Sequence, residues 1–195
     1  MGYRKILFML FLILTASCVS APEKKIPIDK VKDFRPPPDK KTEQQWLFEK
    51  DAIQLSIKVD PKLNYYQNAS HTLSICMYQL KDPNSFNQLS GNQNGLYQIL
   101  ECNLFDPSVT AFKHLTIQPG ENQTLSFDRA EGSKYIAIAA GYFSLEKDRI
   151  TRLFEIPVDV KHSGLFWKNK YTVPQRLKLE LTLGPQQIEK IELIK

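Results

Sequence analysis

From Trp46 onward the apolar residues of this chain recur at every second position. In "AIQLSIKV", Ile53, Leu55, Ile57 and Val59 fall on one side of an extended chain, and Gln54, Ser56 and Lys58 fall on the other. Successive strand side chains point to opposite faces, so a period of two marks a strand with one buried face. The pattern returns in "HTLSICMYQL", "FKHLTIQ", "QTLSFD", "YIAIAAGYF", "RLFEIPVDV", "RLKLELTL" and "IEKIELI". In "HTLSICMYQL" the buried set is either Leu73, Ile75 and Met77 or the opposite face with Cys76 and Tyr78. Pro119-Gly120 and Glu131-Gly132 are turn signals, and Gly184-Pro185 sits where a closing hairpin would turn. Short strands with such punctuation predict an all-β fold, a two-sheet β-sandwich over residues 46–195.

One stretch breaks the alternation. In "DPNSFNQLSGNQNGLYQILECNLFD", Leu96, Ile99, Leu100 and Asn103 stand at helical spacing. One or two short helices inserted between strands are expected there. Cys102 would end this insertion, and Cys76 lies in the strand before it.

The N-terminus has a different texture. Arg4 and Lys5 precede "ILFMLFLIL", a continuous apolar run, and Thr15, Ala16 and Ser17 follow. A positive start, a short apolar core and small residues describe a secretory signal over residues 1–17. A membrane-spanning helix needs about 20 apolar residues, and this run is shorter. Thr15-Ala16-Ser17-Cys18 resembles the bacterial lipobox, with Thr15 where leucine is usual. The resemblance implies that Cys18 becomes the lipid-bearing first residue of the mature protein. Val19 after it implies sorting to the outer membrane, with the domain facing the periplasm. One acyl chain holds a protein only marginally, whereas two or more hold it stably. Residues 18–45 then read as a lipidated cysteine and a tether rich in charge and proline, including Arg35-Pro36-Pro37-Pro38.

This division explains the charge. The formal net charge is +5. Arg4 and Lys5 supply two of these charges and residues 19–45 another two, which leaves +1 for residues 46–195. Such a domain lacks the clustered basic footprint of a nucleic-acid binder, so no nucleic acid is expected as a partner. Once Cys18 is assigned to lipid, Cys76 and Cys102 remain. They either form a disulfide or stay as two buried thiols, and an exported protein meets conditions that favour the bond.

Signals for catalysis are absent. His71, His114 and His162 are scattered, without the spacing of a metal site such as H-E-x-x-H. The sequence contains no G-x-S-x-G and no C-x-x-C. Asp128-Arg129-Ala130-Glu131 reads as a solvated turn with a local ion pair. No enzyme activity, catalytic residue, metal, cofactor or small-molecule substrate is expected. "DPKLNYYQNAS", between the first two strands, is more informative. Adjacent Tyr65 and Tyr66 cannot both enter one sheet face, so at least one should lie at a surface. Tyrosine offers a large contact area with a polar tip, which suits interfaces.

Several segments in order resemble one family: the lipobox-like start, "KLN" after the first strand, "SICMYQLKDPNSFNQL", "LTIQPGENQTLSFDRAEGSKYIAIAAGYF" and "EIPV". Over Asp51 to Val158 the chain resembles the TssJ family, the outer-membrane lipoproteins of the bacterial type VI secretion system. The resemblance implies an eight-stranded, transthyretin-like β-sandwich with a short helical insertion. It also implies an adaptor that anchors the secretion membrane complex by binding the periplasmic part of a large inner-membrane protein, TssM. The family uses the loop between the first two strands for that contact, here residues 61–70. Leu63 and Asn64 match the family pattern, while Tyr65 stands where proline is common. The candidate partner-binding residues are therefore Leu63, Asn64, Tyr65, Tyr66 and Gln67. Two competing functions are a lipid-anchored carrier of a small ligand and a pilotin-like periplasmic chaperone of another secretion machine. Strands filled with Ile, Leu and Val argue against the carrier.

Overall fold

The computed structural model describes residues 46–163 and 169–194. The expected signal, Cys18 and the tether lie outside the described residues. Two four-stranded sheets face each other. The first has the order β10-β9-β1-β4, from β1 (Glu49–Val59), β4 (Gln123–Arg129), β9 (Leu177–Leu183) and β10 (Ile188–Leu193). The second has the order β3-β2-β5-β6, from β2 (Leu73–Leu80), β3 (Val109–Ile117), β5 (Tyr135–Ala140) and β6 (Thr151–Glu155). A separate ribbon pairs β7 (Val158–Ser163) with β8 (Asn169–Pro174). The fold is the β-sandwich that the alternation predicts.

In β1 the core takes Ile53, Leu55, Ile57 and Val59, as the alternation requires. β9 does the same with Leu177, Leu179, Leu181 and Leu183. Each such side chain stabilises the fold by about 1.5–3 kcal/mol when taken out of water. β9 runs parallel to β1, with Ile53 opposite Leu177 and Val59 opposite Leu183. β9 and β10 form the expected hairpin around Gly184-Pro185. The turns at Pro119-Gly120 and Glu131-Gly132 also form where expected, and both glycines have positive φ, +72° and +80°.

β2 is central, and both of the alternative faces turn out to be buried. Leu73, Ile75, Met77 and Gln79 face the other sheet. Gln79 reaches across to it: Nε2 donates to Asp128 O at 2.8 Å, and Oε1 accepts from Ala130 N at 2.8 Å. The opposite face meets the insertion, α1 (Asn84–Ser90) and α2 (Gln93–Leu100). Asn92 caps α2 by accepting from Gly95 N at 2.8 Å. Gly95 is required here, because a Cβ would lie 2.0 Å from Leu89 O. Leu96 and Ile99 are buried, but α2 ends at Leu100, so Asn103 lies outside the helix and is exposed. Tyr78 donates to Ile99 O at 2.6 Å. Cys76 and Cys102 are disulfide-bonded, with their Cα atoms 5.4 Å apart, and this joins the insertion to β2.

Two expectations need correction. "RLFEIPVDV" is not one strand. Pro157 has no N–H to continue the ladder, so β6 ends at Glu155 and β7 leaves the sandwich to pair with β8. Asp128-Arg129-Ala130-Glu131 is not a solvated turn with a local pair. Arg129 ends β4, is buried, and pairs with Glu49 of β1 at 2.9 Å. The same Glu49 carboxylate also accepts from Arg176 Nε at 3.1 Å. A buried guanidinium needs such a partner, and only the neighbouring strand supplies one.

Candidate functional site

Three connections meet at the Val59 end of β1: the β1–β2 loop, the β5–β6 segment, and the β9–β10 hairpin. The β1–β2 loop holds the five candidate residues, and the structure gives them different roles. Leu63 is a core residue with no exposed surface. Its carbonyl accepts from His71 N at 3.0 Å, closing the base of the loop. Asn64 is also buried and has φ +47°, a left-handed conformation that asparagine tolerates. Its Nδ2 donates to Thr72 O at 3.2 Å and its Oδ1 accepts from Phe143 N at 3.0 Å. Asn64 thus clamps the loop to the segment after β5.

The next three residues form the presented surface. Tyr65 N donates to Pro185 O at 2.7 Å, tying the loop to the β9–β10 hairpin. Its ring lies 5.8 Å from Lys62 Nζ, within cation–π range. Tyr66 and Ala69 exchange two backbone hydrogen bonds, 3.1 and 3.0 Å. Between them Gln67 and Asn68 both have positive φ, +48° and +62°, the pattern of a tight type I′ hairpin turn. Gln67 is exposed at its tip, and both tyrosines are half-buried. The Tyr66 ring stacks on His71, centroids 3.8 Å apart, and on Phe143, centroids 4.4 Å apart.

Phe143 is 69% exposed. Beside it runs an open groove of about 330 Å³, lined by Tyr65, Tyr66, Phe143, Arg149 and Pro185 among others. Its floor is held by Tyr142, which is buried and whose hydroxyl donates to Gln187 O at 2.7 Å. Burial pushes the Tyr142 hydroxyl well above the ordinary tyrosine pKa, so it stays a neutral donor. Arg149 Nε donates to Gln187 Oε1 at 3.3 Å. Among the described residues no group of His, Cys, Asp and Glu could hold a metal ion. The groove offers flat aromatic area, one guanidinium and fixed loop backbone. Those are the means of gripping another protein.

The sequence singles out the β1–β2 loop, and the fold sets Phe143, His71, Arg149 and Pro185 beside it. The alternation of "YIAIAAGYF" puts Phe143 at the end of a strand. β5 stops at Ala140, and Gly141 was the available signal for that stop. The other three come together only through the fold.

A model of the family described as "Type VI secretion lipoprotein, VasD, EvfM, TssJ" matches residues 51–185. A search of curated protein sequences returns no match. Among solved structures, the type VI secretion lipoprotein TssJ1 from Pseudomonas aeruginosa is similar at 19% identity and TM-score 0.54, covering 73% of this chain and 95% of that one. Serratia marcescens Lip, described as a membrane-bound component of the type VI secretion system, is similar at 16% identity and TM-score 0.52, covering 73% and 96%. At these identities the structures speak for the fold alone, and the family match carries the assignment. The chain is a member of the TssJ family of type VI secretion lipoproteins.

Proposed function

We propose that this lipoprotein is held in the outer membrane by acyl chains on Cys18, faces the periplasm, and binds the periplasmic part of a TssM-like inner-membrane protein. Its mechanism is mechanical: an anchor, a tether along residues 19–45, and a stiff sandwich that grips the partner. The observation that carries the reading is the stack of exposed Phe143 on half-buried Tyr66 beside an open groove. An aromatic pair held by backbone clamps loses little freedom when a partner covers it, which favours binding. Tyr66 and Phe143 are the contact residues in this reading, Tyr65 and Gln67 flank them, and Leu63 and Asn64 shape the loop from beneath.

The test is co-purification of the inner-membrane protein from solubilised envelope. Phe143→Ala removes a largely exposed ring and should leave thermal unfolding unchanged. If Phe143 is a central contact, its loss weakens binding by about 30-fold, the equivalent of about 2 kcal/mol. Tyr66→Ala should act in the same direction. Undiminished capture by both variants would place the partner elsewhere.

A further inference from the structure

The outer face of the second sheet carries a surface that the groove does not use. β3 is the edge strand of that sheet, and Phe112 stands opposite Tyr78 of β2 in the register. Tyr78 collects an aromatic cluster there. Its ring centroid lies 5.1 Å from that of Phe105 and 6.3 Å from that of Phe112. Tyr78 itself is buried, but the outer side of the cluster is in water. Leu104, next to Phe105 in the chain, is 66% exposed, and Phe112 is exposed as well. Tyr97 of α2 is 56% exposed. Single exposed apolar residues are ordinary. Apolar groups gathered on one face and rimmed by polar ones mark an interaction surface.

The charge around them has one sign. Residues 82–112 contain Asp82, Glu101 and Asp106 but no lysine or arginine, a net −3, in a chain with 26 such cations. The flanking cations turn away. Lys113 stands opposite Met77, on the side of β3 that faces the other sheet, and lines an opening beside Phe127. Lys81 lies along Gly132, where an added Cβ would meet its Cε at 3.1 Å. The carboxylates are held in place. Glu101 Oε2 accepts from Asn103 Nδ2 at 3.0 Å, and Asp106 Oδ1 accepts from Ser108 N at 2.7 Å. Tyr97 precedes Glu101 by four residues and so shares its side of the helix. The Cys76–Cys102 bond fixes the backbone two residues before Leu104. A surface set in advance loses little freedom on binding.

We propose that this face, with Tyr97, Leu104 and Phe112 at its centre and Glu101 and Asp106 at its rim, docks a protein segment that is apolar in the middle and flanked by lysine or arginine. Charge selects this occupant. Anionic headgroups and nucleic acid would be repelled. A second copy meeting the same face across a two-fold axis would set acid against acid. A basic segment gains its register from the rim, while the apolar centre supplies affinity. None of these residues lines the Tyr66–Phe143 groove, so the inference stands apart from the reading of that groove.

The test places p-benzoylphenylalanine at position 104 of the full-length protein in cells that carry it natively. Illumination and mass spectrometry of the adduct identify the segment it meets. The expected adduct joins a protein segment of net positive charge. Glu101→Lys should lower its yield about tenfold, and raised salt in isolated envelope should lower it as well. Exchanging the captured segment's basic residues for glutamate should restore the yield in the Glu101→Lys protein. Glu101 is exposed, so the melting temperature should hold. Should the lysine variant unfold, Glu101→Gln keeps an acceptor for Asn103 and repeats the comparison. Adducts to lipid, to a second copy or to an acidic segment, no adduct at all, or a yield indifferent to the charge at position 101 would overturn the proposal.

Discussion

Tyr78 shows how a single buried group records its surroundings. Its ring is fully buried on the helical side of β2, and its hydroxyl donates to Ile99 O. Burial pushes its pKa up to about 12 from 10. The unfolded chain would release this proton near pH 10, whereas the folded one keeps it. Stability from Tyr78 is therefore complete below pH 10 and is lost as pH rises toward 12. Denaturant titrations should show a loss of about 2–3 kcal/mol across that window, on the basis of 1.36 kcal/mol per pKa unit. Tyr78→Phe should be less stable at neutral pH by about 1 kcal/mol for the lost hydrogen bond. It should also lack this alkaline component, and parallel alkaline losses in both proteins would contradict the assignment. Tyr78 was legible in the sequence as one of two possible core faces. Its burial on a second core, beneath the helices, was not, because alternation within one strand cannot tell what covers either side.

The element that depends most on a covalent link is the helical insertion. α1 and α2 have seven and eight residues, too short to be stable alone. They hold through Phe86, Leu96 and Ile99 in the core and through the Cys76–Cys102 bond. Cys102 has φ +51° just past the end of α2, a place that glycine usually takes. The bond spans 26 residues. On the loop-entropy model, removing it with Cys76→Ala and Cys102→Ala costs about 3–4 kcal/mol. Hydrogen exchange should locate the loosening in residues 84–102 before the sandwich strands. A uniform loss of protection across both sheets would mean that the insertion and the sandwich unfold as one unit. At this scale the sequence was informative about where elements lie. Helical spacing, Asn92 and the paired cysteines are local signals, and so are the turns at Gly120 and Gly132. The ribbon escaped because "RLFEIPVDV" alternates throughout, and only the missing N–H of Pro157 divides it.

For the whole molecule, the proposed anchor and the fold are separable. Cys18→Ser should leave the melting temperature of the sandwich unchanged, because every core residue named above lies at Ile53 or later. The same substitution should move the protein from the membrane fraction to the soluble periplasmic fraction. Fractionation that stays with the membrane would show that the acyl chains are not what retains it. The substitution should also reduce assembly of the secretion complex even though the Tyr66–Phe143 groove remains intact. Binding in solution and assembly in the cell would then part company.

The sequence by itself determined the strands of the two sandwich sheets, the turns, the inserted helices and the loop that carries the candidate site. Those depend on spacing and turn chemistry within about ten residues. Tertiary structure decided the rest. It set β9 parallel beside β1, which lies more than a hundred residues earlier in the chain. It buried Arg129 against Glu49, because closing the sheet left the guanidinium no water and one carboxylate. It brought Phe143 onto Tyr66 through the Asn64 clamp and so made a platform from two loops. It also turned "DPKLNYYQNAS" inward at Leu63 and Asn64 and outward at Tyr66 and Gln67. That division follows from backbone hydrogen bonds to partners up to 120 residues away, such as Tyr65 N to Pro185 O, which no local pattern encodes.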